Sequence, residues 1–163
     1  LSVIGLDKLV IGKNGTFQIN PNFNIHTDFD RFEGNCRQLE RTSDPDMRCA
    51  LYHKAVELYK GHLLPRIEHE IWHMQLDMYY QTLYLTITKG YARYKLERKN
   101  YTDALREIKN AMQLAPGDSE LSMLAVLAAW YQGGRVLARR YYEAVKKYLD
   151  GDQIIQIRTQ LGF

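Results

Sequence analysis

The sequence has few of the features that mark membrane-spanning, secreted or cysteine-bound metal proteins. No apolar run approaches the ~18 residues needed to cross a bilayer, so no membrane segment is predicted. The only two cysteines, Cys36 and Cys49, lack the C-x-x-C spacing of a zinc site. No secretory leader is visible, so we expect a cytoplasmic protein with reduced cysteines. Only four prolines occur among 163 residues, which favours long regular elements.

Several common catalytic motifs are also missing. Neither G-x-x-x-x-G-K-[ST], G-x-G-x-x-G nor G-x-S-x-G occurs, so no phosphate loop, dinucleotide turn or serine nucleophile is predicted, and no cofactor is expected. The net charge is only +3, but it is uneven: residues 89–163 carry 13 Lys/Arg and 8 Asp/Glu, a balance of +5, against 9 and 11 in residues 1–88. This asymmetry indicates either a solvated face or weak attraction to an acidic partner.

One candidate catalytic string is present, His69-Glu70-Ile71-Trp72-His73, which fits the zinc-protease pattern H-E-x-x-H. We expect a helix from about Ile67, with both imidazoles on one face. A catalytic zinc also needs a third protein ligand, but no histidine follows, and Glu97 would lie roughly 36 Å away along a continuous helix. The zinc hydrolase is therefore a remote alternative. We expect Trp72 and Leu76 to be buried and His69 and His73 to face solvent.

Residues 1–27 differ from the rest of the chain. Asn14-Gly15 is typical of a tight hairpin turn, and β-branched and aromatic residues flank it, which predicts strands over 8–12 and 16–20. A lone two-stranded ribbon is marginally stable in water. It must therefore dock on the helices or belong to a domain whose remainder lies upstream of Leu1.

Beyond Thr27 the apolar spacing is helical, with Thr27 or Asp28 and then Ser43 or Asp44 as candidate caps. The C-terminal part repeats itself after 34 residues, the period of tetratricopeptide repeats, with Gly133-Gly134 as the turn within the later pair. An antiparallel bundle with a chance period is the alternative. The matching positions are Tyr101, Ala104, Ile108, Ala111, Leu114 and Pro116-Gly117-Asp118, followed by Arg135, Ala138, Tyr142, Val145, Tyr148 and Asp150-Gly151-Asp152.

Together these features resemble the bacterial transcriptional activator domain of streptomycete antibiotic regulatory protein-type regulators. The acidic-aromatic opening Asp28–Glu33, the connector Leu58–Pro65 (LYKGHLLP), Trp72 and the repeat stand in the family's order. The resemblance implies an all-α, tetratricopeptide-like helical repeat domain over residues 28–163. It also implies that residues 1–27 are the terminal β-hairpin of a winged-helix DNA-binding domain.

The expected function is a non-enzymatic protein-interaction or oligomerisation module of a bacterial transcription regulator. Its partners would be its own DNA-binding domain, a second copy or the transcription machinery, with DNA reached only through the upstream domain. A free-standing repeat scaffold for peptides is the alternative. A basic cluster, interleaved with Tyr141 and Tyr142, is the candidate partner surface, although a solvated face or a nucleic-acid contact would also explain it. Its residues are Arg135, Arg139, Arg140, Lys146 and Lys147.

Overall fold

Six helices and one two-stranded ribbon make up residues 8–64 and 70–162, the part of the chain described by the computed structural model. The elements are β1 (Val10–Lys13), β2 (Thr16–Ile19), α1 (Asp28–Arg41), α2 (Pro45–Leu58), α3 (Ile71–Glu97), α4 (Tyr101–Leu114), α5 (Ser119–Val145), a 3₁₀ turn (Lys146–Tyr148) and α6 (Gly151–Leu161). The prediction of an all-α repeat domain with a short N-terminal hairpin is confirmed. Within those two ranges no helix has both the length and the apolar content that a bilayer crossing requires.

The ribbon is an antiparallel hairpin with the predicted turn. Asn14 and Gly15 have φ angles of 53° and 78°, the left-handed values that a two-residue hairpin turn needs. The ladder is extended by the Asn20 N–H, which donates to the Leu9 carbonyl at 2.7 Å. One face of the ribbon is apolar, because Val10 pairs with Ile19 across the strands and Gly12 pairs with Phe17.

That apolar face remains open to solvent. All four residues of β2 are exposed, and Phe17 retains 85% of its accessible surface. We predicted that the ribbon either docks on the helices or belongs to an upstream domain. Among the described residues, this face does not dock on the helices.

Helices α1 and α2 begin at predicted caps. The Thr27 hydroxyl accepts the Asp30 N–H while the Asp30 carboxylate accepts the Thr27 N–H, a capping box that satisfies two otherwise free donors. Asp44 caps α2, and Pro45 occupies its first turn, where a missing N–H costs nothing.

Helix α3 starts later than predicted. It begins at Ile71 rather than near residue 67, because Glu70 has extended backbone angles and acts as its cap. The helix continues through Gly90, as expected. Gly90 is needed for packing, since a β-carbon there would lie 2.8 Å from the Tyr52 hydroxyl oxygen.

The C-terminal helices stack as helical pairs. Gly133 and Gly134 interrupt α5 with non-helical angles, dividing it into a first half (119–132) and a second half (135–145). Val126 of the first half and Tyr142 of the second share one buried cluster with Ile157 of α6. In a continuous helix Val126 and Tyr142 would be about 24 Å apart, so the chain folds back at the glycines.

One side-chain contact across the stack joins residues that are 34 apart. The Gln153 amide nitrogen lies 3.4 Å from the hydroxyl oxygen of Ser119, 34 residues earlier. The predicted match of the two Gly-Asp turns is wrong in detail: Asp118 caps α5 after Gly117, whereas Asp150 caps α6 before Gly151. Helix starts therefore repeat after 34 residues from α4 to the second half of α5, but after 32 residues from the start of α5 to α6.

Candidate partner-binding surface

The predicted basic cluster divides into two groups. Three arginines line a shallow groove of about 590 Å³ on the second half of α5, together with Val136 and Glu143. We call Arg135, Val136, Arg139 and Arg140 the basic ridge. Lys146 and Lys147 do not line this groove, because the chain leaves α-helical geometry after Val145 and both lie in the 3₁₀ turn.

The two lysines and Arg135 have partners within the chain. The Lys146 ammonium lies 2.6 Å from the Glu143 carboxylate and donates a hydrogen bond that lowers the pKa of Glu143 below its usual value. The Lys147 ammonium lies 4.7 Å from the centroid of the Tyr148 ring. Arg135 donates to the Gly162 carbonyl at 2.7 Å.

Arg139 and Arg140 are the available charges of the basic ridge. Both side chains are exposed, and neither forms an ion pair within the described ranges, although the charge of Arg139 helps Lys146 to lower the pKa of Glu143. An exposed guanidinium can bind a carboxylate through two parallel hydrogen bonds at little desolvation cost. These two arginines are thus free to bind an acidic group from outside.

The expected interleaving of tyrosines with the basic residues is wrong. Tyr142 lies in the core between the halves of α5. Tyr141 is partly buried, and the Lys109 ammonium lies 5.5 Å from its ring centroid. Neither ring is an open platform on which a nucleic-acid base could stack.

Sequence analysis missed an exposed apolar residue among the arginines. Val136 is 77% exposed, and it lies outside the apolar stripe formed by Ala138, Tyr142 and Val145. The sequence signal that could have revealed this exposure was the position of Val136 on the polar side of its helix. It gives the basic ridge an apolar contact point beside its charges.

The H-E-x-x-H string does not form the expected helical arrangement. His69 lies outside the described residues, and the helix begins only at Ile71. His73 is buried, and its Nε2 hydrogen-bonds to the Leu63 carbonyl, whereas Trp72 is exposed. The predicted burial is thus reversed at His73, Trp72 and Leu76.

The reversal has a physical cause in the connector after α2, whose residues fold over one side of α3. Tyr59 stacks on Tyr84 of α3 with ring centroids 4.2 Å apart, and Leu63 covers His73, which lies about three turns earlier in the helix. The parts of the α3 surface that the connector does not cover, at Trp72 and Leu76, are exposed.

Asp77 holds this connector in place. Its two carboxylate oxygens lie 2.7 Å from the Leu63 N–H nitrogen and 2.7 Å from His62 Nδ1. Partial burial raises the pKa of Asp77, but these hydrogen bonds and the charges of His62 and His73 outweigh burial and lower the pKa below 3.8. Asp77 is therefore a structural acceptor, and the described part of the chain has no group of three or more potential metal ligands.

A second groove, of about 760 Å³, lies at the ends of α2, α3 and α4. Its buried cation, Lys95, lies 4.3 Å from the Tyr91 ring centroid and 3.5 Å from the Asp103 carboxylate. Glu107 is a further acidic neighbour at 3.9 Å. Because its charge is balanced within the chain, this lysine is less available to a partner than Arg139 and Arg140.

Comparison with known proteins identifies the family. The family model described as the bacterial transcriptional activator domain matches residues 27–154, which is 128 of 163 residues. The match begins at the cap of α1 and extends into α6, so it includes the connector and the stacked helices. A search of curated proteins finds no match. The family is one of transcription regulators and is not a known enzyme family. The chain belongs to the bacterial transcriptional activator domain family.

Proposed function

We propose that this chain is a non-enzymatic protein-interaction module that links a bacterial transcription regulator to the transcription machinery through the basic ridge. The observation that carries the proposal is the pair of exposed arginines, Arg139 and Arg140, which form no ion pair among the described residues and lie beside the exposed Val136. Family membership supports the role in transcription, and the basic ridge supports a specific position for the partner contact on the domain.

The mechanism that we propose is charge-guided docking. Exposed guanidinium groups attract an acidic surface and speed its encounter with the ridge, while the final complex gains from apolar contact with Val136. The stacked helical pairs hold the ridge on a rigid support. An acidic segment with one or more apolar side chains is therefore the matching partner.

The proposed domain organisation assigns residues 1–27 to the end of an upstream winged-helix domain and residues 28–163 to the activator domain. The exposed apolar face of the ribbon supports this assignment, because such a face is normally covered by the rest of its domain. In this arrangement the upstream domain binds DNA, and the module itself does not. Because it acts at the chromosome, the regulator would work in the cytoplasm.

A free-standing repeat scaffold would use a similar surface without DNA. The family match favours the regulator over the scaffold, since the family is described as a transcriptional activator domain. The two functions also predict different results in cells. Only the regulator module should activate a promoter to which it is tethered.

The test is a reporter assay in bacteria, with the chain fused to a heterologous DNA-binding domain that lacks activating function. We expect activation by the wild-type chain and a loss of about 5- to 30-fold in the variant Arg139→Glu/Arg140→Glu, since each reversed charge at an interface changes binding by about 1 kcal/mol. The matched control is Arg31→Glu/Arg41→Glu, which reverses two exposed arginines of α1.

Fusion-protein abundance must be equal in all strains for the comparison to hold. A wild-type fusion that does not activate would contradict the regulator role. Equal loss in both double variants would contradict the assignment of the contact to the basic ridge.

A further inference from the structure

The groove at the ends of α2, α3 and α4 has the size and the lining of a small-molecule site. Its volume of about 760 Å³ is within the usual range of about 300–1,000 Å³ for such sites. Tyr91 and Lys95 of α3 are buried and form its floor, whereas Ala50 of α2 and Arg106 of α4 are exposed at its sides. Three helices therefore surround one space.

Tyrosines and small side chains form the apolar part of this groove. Tyr91 and Tyr94 lie one turn apart on α3, and Cys49 and Ala50 of α2 line the same space. The Tyr94 hydroxyl donates to the Pro45 carbonyl at 3.1 Å, which holds its ring against the start of α2. Because the rings are held in place and the α2 side chains are small, the groove can accept a flat apolar group with little loss of side-chain freedom.

The Lys95 ammonium is the buried cation of this groove, and its charge is balanced only by long ion pairs. It lies 3.5 Å from the Asp103 carboxylate and 3.9 Å from the Glu107 carboxylate, whereas an N–H···O bond normally measures about 2.7–3.2 Å. Both carboxylates have a closer partner in Arg106, at 2.7 Å and 3.0 Å. The Lys95 side chain keeps only 9% of its surface accessible, so few water molecules can reach its N–H groups. A ligand oxygen at hydrogen-bond distance would be a closer acceptor than either carboxylate.

A second cation, Arg98, lies one turn after Lys95 on the same side of α3. Its guanidinium is exposed, lies 5.1 Å from the Tyr94 ring centroid and forms no ion pair with the residues that the structure describes. Cations outnumber acids by three to two in the lining when His53 is neutral, which favours a ligand with one negative charge. The cations are Lys95, Arg98 and Arg106, and the acids are Asp46 and Asp103.

We propose that this groove binds a small aromatic monocarboxylate as an effector. The carboxylate accepts hydrogen bonds from the Lys95 ammonium and the Arg98 guanidinium. The ring of the ligand lies against Tyr91 and Tyr94. Such a ligand contacts α2, α3 and α4 at once and stabilises their arrangement by mass action. This inference goes beyond the proposed function, since it concerns a small molecule and a groove separate from the basic ridge.

An NMR titration of the isotope-labelled 163-residue chain with cinnamate tests the proposal. Cinnamate is the probe because it is a flat ring system with one carboxylate. We expect saturable amide shifts at the start of α2, the end of α3 and the start of α4, with a dissociation constant of about 0.1–10 mM for a ligand of this size. Cinnamamide lacks the charge and acetate lacks the ring, so each should bind at least about 10-fold more weakly.

Variants at exposed positions test the location of the site without disturbing the core. Ala50→Trp fills the apolar part of the groove and should weaken cinnamate binding at least about 10-fold. Arg98→Gln removes one anchor of the carboxylate and should weaken it about 3- to 10-fold. Arg41→Gln is the matched control and should change nothing, because Arg41 is also an exposed arginine at the end of a helix but belongs to α1.

The buried cation is tested by Lys95→Met, which keeps an unbranched apolar side chain in place of the lysine stem. We expect this variant to bind cinnamate no more tightly than cinnamamide, and circular dichroism establishes that it is folded. Absence of saturable shifts up to about 20 mM cinnamate would overturn the proposal. Equal binding of cinnamamide or acetate to the wild-type chain, unchanged binding in Ala50→Trp, or shifts confined to the basic ridge would overturn it as well.

Discussion

Replacement of Gly134 by alanine should destabilise the protein, although the same change in a helix interior is normally stabilising. Gly134 has φ = 67° and ψ = −161°, a region of backbone space that is essentially restricted to glycine and costs other residues about 1–3 kcal/mol. If α5 were a single continuous helix, alanine would instead add about 0.5–1 kcal/mol to the free energy of unfolding. The sign of the effect therefore reports whether the chain reverses at this position.

The matched control is Gly34→Ala in the middle of α1. A β-carbon would meet no atom within 4 Å at either glycine, so the two substitutions differ in backbone conformation and not in side-chain crowding. We expect Gly34→Ala to raise the free energy of unfolding by about 0.5–1 kcal/mol and Gly134→Ala to lower it by about 1–3 kcal/mol. The two variants should thus lie about 1.5–4 kcal/mol apart.

Urea unfolding followed by circular dichroism measures both effects in one experiment. A change in midpoint at constant slope reports a change in stability, whereas a change in slope would indicate a loss of two-state behaviour. If Gly134→Ala stabilises the protein as much as Gly34→Ala does, the fold-back of α5 and the stacking that follows from it are wrong.

Two further substitutions test the packing around α3. Gly90→Ala should lower the free energy of unfolding by about 1–3 kcal/mol in urea unfolding, because a β-carbon there would lie 2.8 Å from the hydroxyl oxygen of the buried Tyr52; a gain in stability would show that this side chain moves aside freely. Asp77→Asn should lower it by about 1–2 kcal/mol at pH 7, because the charge-assisted hydrogen bonds to His62 and Leu63 are weakened. Since the pKa of Asp77 is lowered in the folded state, its contribution is present above pH 3.8 and is lost as the pH falls through the folded value, so the two proteins should converge only at pH values below 3.8. A difference that does not shrink as the pH is lowered below 3.8 would contradict this role of Asp77.

The elements that sequence predicted well are those fixed by local chemistry. Asn14-Gly15 tolerates positive φ, Thr27 and Asp44 supply the side-chain oxygens that cap helices, and Gly133-Gly134 permits a reversal inside an otherwise helical stretch. Each of these signals depends on a few adjacent residues. No information about distant parts of the chain was needed to interpret them.

The features that sequence did not predict depend on contacts between distant segments. The period of α3 alone identifies two apolar sides, and only the path of the connector decides that His73 is covered and Trp72 is exposed. The burial of Lys95 on an apolar side of α3 could not be predicted from α3 alone. The acidic residues that balance its charge, Asp103 and Glu107, belong to α4. Likewise, Arg140 could be recognised as part of a basic cluster, but only the folded chain showed that it forms no ion pair within residues 8–64 and 70–162.

Binding of the purified chain to bacterial RNA polymerase holoenzyme is the measurement that most directly tests the proposed contact through the basic ridge. With fluorescently labelled chain, we predict anisotropy titrations that weaken as salt rises from about 50 to 300 mM, as expected for exposed charges. Binding should fall about 5- to 30-fold in Arg139→Glu/Arg140→Glu and stay unchanged in Arg31→Glu/Arg41→Glu. Binding that is independent of salt, or that both double variants weaken equally, would contradict a partner contact centred on the second half of α5.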